Sequence, residues 1–195
     1  MALLRSASLS DLGPVIRADR VMLRTPQMSD YPAWAELRTA SRDFLTPWEP
    51  LWASDELSRA SFRRRVRHYQ RDLREDVGYA LFIFALKSGA LVGGLTLCNV
   101  RRGVTQACTL GYWVGGPHAH QGYMTASVRA VIPFVFDSLE LHRLEAACLP
   151  MNAASVKLLE RTGFTREGMA RRYLRINGVW QDHLLYALLD TDPRR

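Results

Sequence analysis

The stretch LGYWVGGPHAHQGYM, Leu110–Met124, decides the reading of the chain. Leu110 to Val114 reads as a strand, Gly115, Gly116 and Pro117 break it, and an apolar-periodic helix starts at Met124. Such a junction has a chemical use. The first turn of a helix holds backbone N–H groups without internal partners and the positive end of the helix dipole, so it attracts phosphate. Gly122 lets an anion approach the backbone closely. Taken alone, such a turn is more often a plain connection.

The chain around it orders readily. Residues 1–19 show no sustained periodicity and are expected to form an N-terminal arm or an extra edge segment, with one domain over 20–195. Arg20–Arg24 alternates as a strand, and Ser29 or Asp30 caps a helix bearing Tyr31, Trp34 and Leu37 on one face. The loop Phe44–Trp52 is rich in aromatic residues and proline, which suits a binding wall or a hydrophobic plug. Ser54–Asp76 reads as one amphipathic helix whose outer face carries Arg63, Arg64, Arg65, Arg67, Arg71 and Arg74; that face is either solvated or turned to ribosomal RNA or another acidic surface. Tyr79–Lys87, Leu91–Val100 and Thr105–Val114 form an antiparallel meander. The helix Met124–Glu140 should bend at Pro133. The strand Arg143–Leu149 follows a helical crossover and must run parallel to the strand before it. After a helix Ala153–Arg161, Thr165–Ile176 and Val179–Leu188 pair around Asn177-Gly178. The order predicts an α+β (mixed α/β) fold with a mostly antiparallel sheet of about seven strands and about four helices.

Composition agrees with an ordinary globular protein: 195 residues, 48% hydrophobic and 23% charged. No apolar run nears the roughly 20 residues of a membrane span, and MALLRSASLSDLG lacks the apolar core of a signal peptide, so a cytoplasmic protein without membrane partners is expected. The formal charge of +7 suits an acidic partner such as CoA or RNA, although the basicity is almost all arginine. Cys98, Cys108 and Cys148 stand singly, without zinc or redox spacing, and are expected to be buried thiols; no metal is expected.

A second stretch, PMNAASVKLLERTGF (Pro150–Phe164), has Asn, two residues, Ser and an apolar helix closed by Gly-Phe. Together with the first it resembles the signatures of the GCN5-related N-acetyltransferases (GNAT). FLTPWEP (Phe44–Pro50), CNVRRGVTQACTLGY (Cys98–Tyr112), LHR (Leu141–Arg143), GFTREG (Gly163–Gly168) and YLRINGVWQDHLL (Tyr173–Leu185) are similar to the RimJ/RimL-type ribosomal-protein-alanine N-acetyltransferases, from about Arg20 onward. The resemblance implies a sheet splayed at its centre and acetyl-CoA as co-substrate, its pantetheine arm added as a strand beside Leu110–Val114. It implies as acceptor the N-terminal alanine of a small-subunit ribosomal protein. Other amines, or an RNA-associated assembly role with weak catalysis, are the alternatives. Implied cofactor-binding residues are Tyr112, Trp113, Val114, His120, Gln121, Gly122, Tyr123, Met124, Asn152 and Ser155. Three positions depart from the pattern. Pro117 stands where Gln or Arg is usual. His120 replaces a loop glycine, and Leu159 replaces the tyrosine that commonly serves as general acid.

Direct attack of an amine on the thioester needs a base and a stabilised thiolate. Glu145, in the strand beside the cleft, is the candidate base, or else a surface carboxylate paired with Arg143. Ser155 is the candidate donor to the thiolate, or else a helix-capping serine. Trp48, Glu49, Asp182 and His183 are candidate substrate contacts; His183 equally suits a core role. Cys108 is a weak ping-pong nucleophile, with nothing nearby in sequence to activate it.

Overall fold

A computed structural model describes residues 13–194. An eight-stranded sheet runs in the order β1-β2-β3-β4-β5-β6-β8-β7. The strands are Val15–Arg17 (β1), Val21–Arg24 (β2), Tyr79–Ala85 (β3), Leu91–Arg101 (β4), Ala107–Val114 (β5), Arg143–Cys148 (β6), Thr165–Ile176 (β7) and Val179–Leu189 (β8). The helices are Tyr31–Ala40 (α1), Arg42–Leu45 (α2), Arg59–Arg74 (α3), Tyr123–Pro133 (α4) and Ala153–Arg161 (α5). Of the expected arm, residues 1–12 lie outside the described residues. Val15–Arg17 supplies the eighth strand by pairing antiparallel with β2.

Strand periodicity explains the layers. On β3, Leu81 and Ile83 enter the large core that also holds Val128, Val131 and Ile132 of α4 and Leu158 and Leu159 of α5. Phe82 and Phe84 point the other way, onto Trp34 and Leu37 of α1 and Phe62 and Val66 of α3. The sheet is therefore buried on both faces at its centre, as the continuous apolar run of β3 requires.

Two helices differ from their sequence reading. Helix α3 begins at Arg59 because Ser58, not Ser54, supplies the cap: its hydroxyl accepts the Ser61 N–H at 3.0 Å. The preceding turn places Asp55 and Glu56 against Arg64 and Arg65, at 2.5 Å each, so part of the basic face is already paired. Helix α4 ends at Pro133, and a π-helical turn, Phe134–Ser138, continues it; proline lacks the N–H that an α-helix would use there. No helix among the described residues is long and apolar enough to cross a membrane.

The centre of the sheet matters most. β5 and β6 are parallel and in register from Ala107↔Arg143 to Leu110↔Ala146, and there their pairing stops. β5 continues to Val114 bonded to β4 alone, and β6 continues to Cys148 bonded to β8 alone. The expected splay is present, and it leaves one edge of Gly111–Val114 open for an added strand.

Candidate functional site

A cleft with a cavity volume of about 570 Å³ fills this splay. The end of β5, the loop into α4, the start of α5 and the Phe44–Glu49 segment form its walls. Helix α4 starts from Gly122, held at φ 81°, and no side chain caps it, so the N–H groups of its first turn are available to an anion. His120 also has a left-handed φ, 59°. That conformation explains why glycine is usual at this position; histidine is among the residues that enter the region more readily than most. The side chain of Gln121 turns away and donates to the Pro117 carbonyl at 2.9 Å, bracing the loop instead of lining the cleft. Ser41, fully buried where α1 meets α2, accepts the Gly116 N–H at 2.8 Å and anchors the same loop from the other side.

On the opposite wall, Asn152 Oδ1 accepts the backbone N–H of Ser155 at 3.0 Å and thereby caps α5. The Ser155 hydroxyl is left to meet the Tyr112 hydroxyl, 2.5 Å away across the splay. Burial pushes the Tyr112 phenol well above its ordinary pKa, so it stays protonated. Leu159 is fully buried in the core. Tyr112, Trp113, Val114, His120, Gly122, Tyr123, Met124, Asn152 and Ser155 all line the cleft, as do Trp48 and Glu49.

Sequence reasoning missed three cations. Arg20 lies over the Tyr123 ring at 5.2 Å, close enough to Gly122 that an added Cβ would sit 3.1 Å from its Nη1. Lys157 and Arg161 line the cleft from α5. Spacing could have found the last two, one helical turn apart on the motif helix; nothing in the sequence places Arg20 beside a loop about one hundred residues away.

Three expected residues lie elsewhere. Glu145 stands where β5 and β6 are still paired, opposite Thr109, and is bound by Arg101 at 2.5 Å and Arg143 at 3.0 Å. It does not line the cleft, which corrects its reading as the base. Asp182 accepts the Arg172 N–H at 2.8 Å in the irregular stretch of the β7–β8 ladder. His183 is buried, its Nδ1 at 3.0 Å from the Gln181 carbonyl and its ring edge-on to Tyr173. Neither reaches the cleft wall; both serve the hairpin.

Glu49 is held firmly. Arg38 donates to both of its carboxylate oxygens, at 2.6 and 2.7 Å, and Trp52 Nε1 donates at 2.9 Å. Its carbonyl accepts the Asn177 N–H at 2.8 Å, which ties the loop to the tip of the β7–β8 hairpin.

Cys108 is fully buried, and that burial pushes its thiol up to about 12. It cannot supply a thiolate for a ping-pong route. The native protein is expected to leave Cys108 unmodified by iodoacetamide at pH 8 over hours, and to expose it in denaturant; peptide mapping by mass spectrometry distinguishes the two. Rapid native alkylation of Cys108 would contradict this account.

An uncapped helix start behind a left-handed glycine, flanked by arginine and beside an open strand edge, fits the pyrophosphate and pantetheine of CoA. Residues 20–165 match the acetyltransferase (GNAT) domain family. The chain belongs to the GNAT acetyltransferases. It is 34% identical over 181 residues to the probable N-acetyltransferase YjcK of Bacillus subtilis, across 93% of this chain and 100% of that protein. It is 31% identical over 179 residues to the [ribosomal protein uS5]-alanine N-acetyltransferase of Escherichia coli, across 91% of both. Among solved structures, Mycobacterium smegmatis RimJ in complex with CoA-disulfide superposes with a TM-score of 0.83 at 33% identity, covering 92% of this chain and 87% of that one. This GNAT protein is an acetyl-CoA-dependent N-acetyltransferase of the RimJ type.

Proposed function

We propose that this enzyme acetylates the N-terminal α-amine of a protein, with the N-terminal alanine of a small-subunit ribosomal protein as its acceptor, in the cytoplasm. The uncharged amine nitrogen attacks the thioester carbon in a ternary complex, the C–S bond breaks with its electron pair on the CoA sulfur, and the proton released from the nitrogen ends on that sulfur, giving amide and CoA thiol. Backbone N–H groups of Gly111–Val114 face the thioester oxygen, and Ser155 donates to the departing sulfur. Asn152 bonds the pantetheine amides with its remaining side-chain donors.

One observation carries the reading: Glu49 is the sole carboxylate on the described cleft wall, and Arg38 and Trp52 already hold it. Such a group can station an ammonium but is poorly placed to strip a strongly basic one. A peptide α-amine has a pKa of about 8, so roughly a quarter is neutral at pH 7.5, whereas a lysine at about 10.4 costs about 4 kcal/mol to deprotonate. The site is therefore matched to an α-amine. The likeness to the uS5-alanine acetyltransferase supports the same choice.

The test compares CoA release with two matched peptides, one with a free N-terminal alanine and one N-terminally blocked with an internal lysine. Only the alanine peptide should turn over, with kcat/KM rising with pH and levelling above about pH 8, where the α-amine has lost its proton. Turnover of the lysine peptide alone, or of neither beside intact acetyl-CoA binding, would assign another acceptor.

A further inference from the structure

Tyr112 and Ser155 reach each other from opposite lips of the splay. Tyr112 lies beyond Leu110, the last β5 residue paired with β6, and Ser155 lies in the first turn of α5. Their 2.5 Å bond spans the opening where the thioester must sit. Each hydroxyl has a single hydrogen. If serine spends its hydrogen on tyrosine, none remains for a leaving sulfur; if tyrosine donates, the serine hydrogen is free. Cys148 supplies a competing acceptor: its sulfur lies beside Ser155 at the end of β6, and burial keeps it a neutral thiol.

Building on the reading of Ser155 as donor to the sulfur, we propose that Tyr112 is a positioning residue for the leaving group. Its phenol donates to Ser155 Oγ and turns the serine hydrogen into the cleft. The pair replaces, from a different strand, the tyrosine whose usual helix position Leu159 occupies. Tyr112 does not itself give up a proton. A buried phenol with a raised pKa is a poor acid toward a thiolate and a dependable donor. Accepting the phenol's hydrogen bond also polarises the serine O–H, strengthening its bond to the charged sulfur.

The test is a double-mutant cycle on the full chain with the alanine peptide as acceptor. Tyr112→Phe keeps the ring's packing and should lower kcat about tenfold, with the Kd for acetyl-CoA within about twofold of wild type. In a Ser155→Ala background the same substitution should change kcat by less than about twofold, since no serine hydrogen remains to orient. With acetyl-seleno-CoA, whose more acidic leaving group needs less stabilisation, both single penalties should shrink. Incorporating 3-fluorotyrosine at position 112, which retains the hydroxyl, should restore kcat and separates positioning from a packing defect. A Tyr112→Phe variant as active as wild type, or one that loses activity equally with and without Ser155, overturns the inference while leaving the donor role of Ser155 standing. Full activity of Ser155→Ala removes that role, and this inference with it.

Discussion

Ser155→Ala is expected to lower kcat with the alanine peptide about one-hundredfold, or about 2.7 kcal/mol of barrier, the usual consequence of losing one donor to a developing negative charge. Acetyl-CoA affinity should change little, because the proposed seats of the phosphates, at the start of α4, and of the pantetheine, at the open edge of β5, do not involve this hydroxyl. The substitution removes the bond to Tyr112 but spares the helix. The cap of α5 uses the Ser155 backbone N–H, which alanine retains. Asn152→Ala is the contrasting change: it removes the cap and should cost about 1 kcal/mol of stability besides weakening acetyl-CoA binding. Single-turnover rapid quench with saturating acetyl-CoA reads the chemical step directly. A Ser155→Ala rate within about threefold of wild type would mean that the thiolate leaves without help from α5.

Features set by local chemistry were legible in the sequence. Asn177-Gly178 dictates its hairpin, and the observed strands end within a residue of the expected ones, because a two-residue turn fixes its own register. The glycine-rich junction likewise announces the start of α4, which the structure places one residue early, at Tyr123. Features set by distant partners were not legible. β1 falls within the arm or edge segment expected at residues 1–19, but its bounds come from the edge that β2 offers. The placement of Glu145 depends on where two parallel strands part, and that point, Ala146, is fixed by packing with no local signal. Sequence adjacency put Glu145 beside the cleft; register put it on the closed side, among arginines. Tyr112 was legible as part of the cofactor strand, but its bond to a serine 43 residues away was not. The same holds for Arg38. Its guanidinium is buried against the cleft loop, held by a carboxylate 11 residues away.

That burial makes Arg38 the position whose loss should be felt most widely. It is 6% exposed, forked onto both oxygens of Glu49, and stacked over Trp52 and Trp113 at 4.3 and 5.0 Å. Arg38→Met preserves length and apolar stem but strips Glu49 of its cation while leaving that carboxylate 19% exposed. Removing one partner of a largely buried pair costs about 3 kcal/mol, since the other charge stays desolvated without compensation. Denaturant unfolding should therefore show a drop of about that size, and the KM for the alanine peptide should rise as the Phe44–Trp52 loop loosens. Arg38→Lys should fall between, because an ammonium cannot make the two-pronged bond. The double variant Arg38→Met with Glu49→Gln separates the two roles of the carboxylate. Neutralising both partners should recover most of the stability, as neither charge is then stranded. Activity should not return with it if Glu49 holds the acceptor's ammonium, because a neutral amide cannot substitute for that charge. Recovery of stability and peptide KM together would show that Glu49 shapes the loop and leaves the acceptor alone.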